Sequence, residues 1–150
     1  MPGGVPGVVP RPTLTTLAGV RLGETRAELE AGRGKPPRDQ RDTWLYDVGT
    51  FGHPALLDVT FHLVGRNASA DDRVGAIFYR GGKEQAPPEL LYVTGQPRAQ
   101  LVADFGQPAW LLHAKDGIEY QMYADGLTVE FEHDRARAYG VQDYYLTLHD

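Results

Sequence analysis

Apolar and polar residues alternate in three stretches of this chain and follow a helical period in two others. Leu57, Val59, Phe61 and Leu63 are interleaved with Asp58, Thr60 and His62, the two-residue period of a half-buried strand. Leu127, Val129 and Phe131 alternate in the same way with Thr128, Glu130 and Glu132. The pattern predicts strands over residues 43–49, 56–64 and 73–80, and again over 119–123, 127–132 and 135–139. Asp125-Gly126 marks a two-residue hairpin between the first two strands of the second set. That turn pairs Met122 with Val129, Tyr120 with Phe131 and Glu119 with Glu132. It sends Tyr120 and Met122 to the core and Tyr123 outward. A turn at His133-Asp134 extends the ladder, with Glu132 facing Arg135, Glu130 facing Arg137 and Thr128 facing Tyr139. In the first set Asp58, Thr60 and His62 face outward, with Ile77 and Tyr79 beside them, while Trp44 and Tyr46 face the core.

Each set is preceded by a short helix with a marked stop. Thr25-Arg-Ala-Glu28 is a capping box: the Thr25 hydroxyl accepts from the Glu28 N–H, and the Glu28 carboxylate reaches back. Pro97 stands where Thr25 does in the second helix, a position that tolerates proline. Gly34 and Gly106 suit a left-handed residue at the helix end, and Pro36 and Pro108 forbid continuation. Leu101, Val102 and Phe105 make the better apolar stripe, so the second helix is expected to be the more deeply buried.

These sets are two copies of one pattern. Gly23 to Pro36 returns as Gly95 to Pro108, with seven of fourteen positions identical. Leu57-Asp-Val-Thr-Phe61 returns as Leu127-Thr-Val-Glu-Phe131. An order-preserving match at nearly constant offset points to a duplicated unit of about seventy residues. The expected fold class is α+β: two tandem helix–meander repeats whose strands form one antiparallel sheet, with the helices on one side. Residues 1–12 read as a flexible leader, 13–80 as the first repeat, 81–94 as a connector and 95–150 as the second repeat. Tyr144-Tyr-Leu-Thr-Leu148 is either a further edge strand or a segment packing back across the junction.

Composition narrows the function. The 150 residues carry a net charge of -5, which suits a soluble protein and lacks the basic face a nucleic-acid binder needs. There is no cysteine, so disulfides, thiolate catalysis and cysteine-ligated metals are out of reach. No apolar run is long enough to span a membrane, and the leader lacks the pattern of an export signal. The expected compartment is the cytoplasm, or the periplasm or exterior where a signal has been removed. Ser69, the one serine, sits in a polar loop without a nucleophile elbow. His53, His62, His113, His133 and His149 show no metal-ligand spacing. Glu119, Glu130 and Glu132 form either an acid–base or metal site, or, more simply, ion pairs with Arg135 and Arg137. Trp110, after the second helix stop, is read as lining a helix–strand hinge.

The Gly-x-Thr-x-x-x-Leu-x-x-x-x-Gly-x-Pro run from Gly23 to Pro36, Asp42-Thr-Trp-Leu-Tyr46 and the Leu-x-Val-x-Phe run from Leu57 resemble a known superfamily. It joins the beta-lactamase-inhibitor proteins to the small outer-membrane lipoprotein of the barrel-assembly machinery. The tandem arrangement is more similar to the inhibitor branch. The resemblance implies a non-enzymatic protein whose open sheet face binds another protein; from the residues themselves, neither a cofactor nor a metal is expected. The chain lacks both the cysteines of secreted inhibitors and the lipidated cysteine of the lipoprotein, and no binding residue of either branch maps onto it.

The residues expected to form a partner-binding patch are Ile77, Tyr79, Tyr123, Glu130, Arg137 and Tyr139, with His62 beside them. Tyrosine and arginine on an open sheet face are residue types that dominate binding hot spots. Two other readings stay open: a small-ligand carrier with a pocket between the repeats near Trp110 and the connector, and an enzyme using His62 with Asp58 or Glu130.

Overall fold

The computed structural model describes residues 14–36, 38–114 and 117–143. The expected leader and the Tyr144–Leu148 segment lie outside the described residues. A small ribbon of β1 (Thr16–Leu17) and β2 (Val20–Arg21) precedes α1 (Arg26–Arg33). Four strands follow: β3 (Arg38–Asp39), β4 (Thr43–Asp47), β5 (Ala55–His62) and β6 (Arg73–Gly81). Two short 3-10 turns, Lys83–Gln85 and Pro88–Leu90, lead to α2 (Arg98–Phe105). Four more strands close the chain: β7 (Trp110–His113), β8 (Ile118–Met122), β9 (Leu127–Glu132) and β10 (Arg135–Gln142). The eight strands from β3 onward form one antiparallel sheet in the order β3-β4-β5-β6-β10-β9-β8-β7. The architecture is therefore α+β, as expected. The sheet adds β3 and β7, two short edge strands, to the three-stranded meanders expected from the sequence.

Both helices begin and end where the sequence puts them. Thr25 and Glu28 exchange the two hydrogen bonds of a capping box. Gly34 and Gly106 end the helices with φ of 84° and 83°, and ψ of 165° and -172°. That combination lies outside the ordinary left-handed well and is open essentially to glycine alone. Each helix is tied to the sheet beneath it. Leu29 from α1, and Leu101 and Phe105 from α2, join one buried cluster with Leu57, Val59, Phe61, Leu127, Val129 and Phe131. The helices thus share one face of the sheet. The Tyr46 hydroxyl donates to the Gly34 carbonyl at 2.7 Å, and the Tyr123 hydroxyl to the Gly106 carbonyl at 3.2 Å. Arg26 stacks 4.1 Å over the Phe61 ring and bonds Asp72, while Arg98 stacks 4.0 Å over the Phe131 ring and bonds Asp134.

The two halves of the sheet meet at β6 and β10, where Tyr79 pairs with Tyr139 and Ile77 with Val141. Gly140 makes this seam possible: a Cβ there would lie 2.2 Å from the Ile77 carbonyl oxygen.

Three local features change the faces expected from strict alternation. In β6 an extra residue, Gly75, sits between Val74, opposite Phe61, and Ala76, opposite Thr60. In β10 an extra residue, Arg137, sits between Ala136, opposite Phe131, and Ala138, opposite Glu130. Each bulge shifts the pleat by one, so every later side chain changes face. Ile77, Tyr79 and Tyr139, expected outward, therefore point into the core and are buried. The third feature is the β8–β9 hairpin. It closes through Tyr123 N–H to the Leu127 carbonyl and Gly126 N–H to the Tyr123 carbonyl, giving a three-residue loop in place of the expected two-residue turn. Met122 accordingly pairs with Thr128 and Tyr120 with Glu130. Tyr123 turns into the core, while Tyr120 and Met122 turn to the opposite face. The His133-Asp134 turn is the two-residue hairpin expected, with φ of 50° and 68°.

Candidate functional site

The helix-free face of the sheet carries a chain of alternating charges. Arg80 on β6 lies between Asp58 on β5 at 3.5 Å and Glu130 on β9 at 3.0 Å. Arg137, at the β10 bulge, bonds Glu130 through Nε and Glu132 at 3.2 Å through its other arm. Arg80 reaches Glu130 across β10 because the residue paired with Glu130 there is the small Ala138. Glu130 is 1% exposed and both arginines are partly solvated, so the acid is the buried centre and the cations its outer contacts.

Electrostatics follow from that geometry. Burial alone would raise the Glu130 carboxyl, but hydrogen bonds and charge from Arg80 and Arg137 outweigh it and hold the pKa below the ordinary range. At Asp58 burial, with the Glu130 charge, outweighs Arg80 and the Thr60 hydroxyl, and the pKa is raised. Burial and the neighbouring Glu130 raise the Tyr120 phenol. Phe78 packs edge-on against Tyr120 with centroids 6.4 Å apart, roofing the centre of the face with two aromatic rings.

Of the expected patch, Glu130, Arg137 and His62 lie on this face; Ile77, Tyr79, Tyr123 and Tyr139 do not. Those four are corrected for the reasons given above: two bulges and one longer loop. Tyr79 donates to the Gly82 carbonyl, and the Tyr139 hydroxyl accepts the Gly95 N–H at 2.9 Å. The sequence reading missed Arg80, Phe78 and Tyr120. Phe78 and Arg80 follow from the Gly75 bulge, and Tyr120 from the hairpin slip; neither has a marker beyond a glycine in or beside a strand.

The three glutamates do not converge. Glu119 faces the helix side, where Arg98 takes it and His113 Nδ1 lies at 3.3 Å. No grouping of three metal-ligating side chains occurs among the described residues. His62 stands four residues along β5 from Asp58, about 13 Å at strand rise, so the two do not form a dyad. Glu130 lies on β9, three strands across the sheet, with β6 and β10 between. Trp110 is the first residue of β7, the strand that follows α2, at the outer edge of the sheet, 40% exposed and three strands from β10 at the seam where the halves meet. Ile77, Tyr79, Tyr139 and Val141 fill that seam.

No helix among the described residues is long and apolar enough to cross a membrane. No protein family, curated protein or solved structure matches this chain.

Proposed function

We propose that the chain is a non-catalytic binding protein that captures another protein on its helix-free sheet face. The inhibitor, immunity and assembly-accessory modes all fit such a surface. The carrying observation is the Asp58–Arg80–Glu130–Arg137–Glu132 ladder. Its charges are fixed by one another, with half-exposed Arg137 and Glu132 at its rim, which suits orientation of a partner more than proton transfer. His62 and Thr60 flank it on β5, and Tyr120, half-buried over the buried Phe78, supplies aromatic area.

The architecture behind this reading is a duplicated helix–meander unit, similar to the beta-lactamase-inhibitor branch of its superfamily. Support comes from contacts that occur once in each half: arginine over phenylalanine with an aspartate partner, tyrosine to the helix-ending glycine, and a bulge just after the residue opposite Phe61 or Phe131. The cytoplasm is the compartment we favour.

The test replaces the half-buried Thr60 beside the ladder and Glu132 at its exposed end, Thr60→Arg with Glu132→Arg, and compares capture from the source lysate with that of the wild type. Loss of the solvated Glu132–Arg137 pair and a change at half-buried Thr60 cost about 1 kcal/mol or less each. A protein bound by the wild type and lost in the double variant, at nearly unchanged thermal midpoint, supports the reading. Equal capture by both moves the site off this face.

A further inference from the structure

The two ends of the sheet are built differently. At one end β3 is two residues long and follows Pro36-Pro37, and short strands and prolines both discourage further pairing. At the other end β7 reads Trp110-Leu-Leu-His113, without an Asp, Glu, Lys or Arg. Trp110, Leu111 and Leu112 are 40%, 50% and 45% exposed. Among the described strands β7 pairs with β8 alone. An apolar, uncharged edge of this kind is a template for another strand.

The backbone fixes which strand fits. The Ala114 N–H donates to the Ile118 carbonyl at 2.8 Å, continuing the register in which Leu112 faces Tyr120 and Trp110 faces Met122. Bonding alternates along an antiparallel pair, so Trp110, Leu112 and Ala114 bond inward, while Leu111 and His113 present N–H and C=O away from the sheet. Those outward groups are placed symmetrically about Leu112. An identical strand, antiparallel and related by a twofold axis at Leu112, sets Leu111 opposite His113 of the copy, so both outward residues exchange their bonds. The same operation sets Leu112 against Leu112 and Trp110 against Ala114 on the helix-free side. No charged side chain of β7 meets another, and the nearby Glu119 is already held by Arg98. Shifting the register by one would bring inward-bonding groups opposite outward ones, and centring it on Leu111 or His113 would pair the other outward residue outside β7, so Leu112 is the centre that engages both outward residues within the strand. A strand of unrelated sequence would satisfy the backbone but has no reason to share this symmetry.

We propose that β7 is a homodimer edge, pairing with β7 of a second copy to give a continuous sheet of both chains centred on Leu112. A twofold perpendicular to the sheet keeps the helices on one side and sets the two helix-free faces side by side. The contact is independent of any partner bound on that face. Four residues a side bury less than a standard interface, so the dimer is expected to form with a Kd on the order of tens of micromolar.

Sedimentation velocity on the full chain from about 5 to 500 μM should show monomer passing to dimer across that range. Leu111→Pro removes one N–H that points away from the sheet, a position where an edge strand tolerates proline. It should abolish the dimer while leaving the circular dichroism spectrum intact. Because the chain has no cysteine, oxidation of single-cysteine variants gives an independent reading. Leu112→Cys places two thiols at a non-hydrogen-bonded pair, about 4.5 Å between Cα atoms, within disulfide reach. Leu111→Cys places them on residues offset from the axis, beyond the ~7 Å limit. A disulfide dimer from Leu112→Cys and not from Leu111→Cys is expected. Overturning results are a wild type that stays monomeric at the highest concentration, a dimer that persists in a folded Leu111→Pro, or equal cross-linking at both positions. If Leu111→Pro fails to fold, the cysteine pair decides alone.

Discussion

Asp72 and Asp134 hold corresponding places in the two halves, each taking an arginine stacked on a phenylalanine, yet their removal should differ several-fold in cost. Asp72 has no exposed side-chain surface. It accepts from the Ser69 N–H at 2.8 Å, the Val64 N–H at 3.0 Å and Arg26 at 2.9 Å, anchoring the loop between β5 and β6 to α1. Its pKa is lowered because those backbone and arginine donors outweigh its burial. Asp72→Ala strands two backbone donors, at about 1–3 kcal/mol each when left dry. Arg26 keeps its bonds to the Ser69 and Arg41 carbonyls, so the cation is not abandoned. The sum is about 3 kcal/mol, below the upper range for breaking a buried pair because loop and arginine can rehydrate. Asp134 is 87% exposed, and losing its bond to Arg98 should cost about 0–1 kcal/mol. Thermal unfolding followed by tryptophan fluorescence is the assay, since Trp44 is buried with Arg26 5.3 Å from its ring. The expected drop in thermal midpoint is roughly 6–12 °C for Asp72→Ala and at most about 4 °C for Asp134→Ala. Equal costs, or less than about 1 kcal/mol for Asp72→Ala, would refute the assignment of Asp72 as the buried anchor.

Two further perturbations probe the sheet. Gly140→Ala drives a methyl into the Ile77 carbonyl and the Phe78 ring at the seam, and should cost about 3 kcal/mol or more, read as a fall in urea midpoint. Glu130→Gln removes the charge facing Arg80 and Arg137 and should cost about 2 kcal/mol at pH 7, a moderate figure because both arginines are partly solvated. Since the folded pKa of Glu130 is depressed, its charge stabilises the fold fully above the ordinary glutamate range, and that contribution is lost as pH falls through the folded value. The stability gap between wild type and Glu130→Gln should therefore narrow on acidification below about pH 4.5 and be flat from pH 6 to 8.

The parts of this fold that were legible in the sequence are those written in local chemistry. The capping box, the helix-ending glycines and the alternation of β5 and β9 depend on neighbours within a few residues, and each appears where the residues place it. The edge strands were not legible because two and four residues are too few to show a period. The face of β6, β8 and β10 was misread at single-residue insertions. Gly75 and Arg137 add one residue to a ladder whose hydrophobic pattern, Ile77-Phe78-Tyr79 and Ala136 to Val141, is apolar or small on both faces and so does not announce its register. Asp125-Gly126 signalled a hairpin correctly, but its loop length is set by Gly126 at φ of 103°, a conformation the two-residue and three-residue hairpins both draw on glycine to reach. Of the candidate patch, only Glu130, Arg137 and His62 lay on strands or at positions whose face survived these shifts.

The bulges that misled the alternation also explain why the site and the seam occur together. Without them, β6 would turn Ala76, Phe78 and Arg80 toward the helices, and β10 would turn Ala138 and Gly140 the same way. The seam would then lose Ile77, Tyr79, Tyr139 and Val141 from the core and bury a guanidinium instead, a cost of several kcal/mol for an unpaired charge. One extra residue in each strand reverses this. It buries the aromatic and branched side chains where the two halves join, and it releases Arg80 to the opposite face. Arg137, being itself the extra residue of β10, escapes the pleat and folds back onto Glu130 of the neighbouring strand. Ala138 and Gly140, now outward, are small enough for Arg80 and Phe78 to lean across β10 toward Glu130 and Tyr120. The charge ladder is thus a product of the same two insertions that let the halves pack, and a deletion of Arg137 should remove both at once.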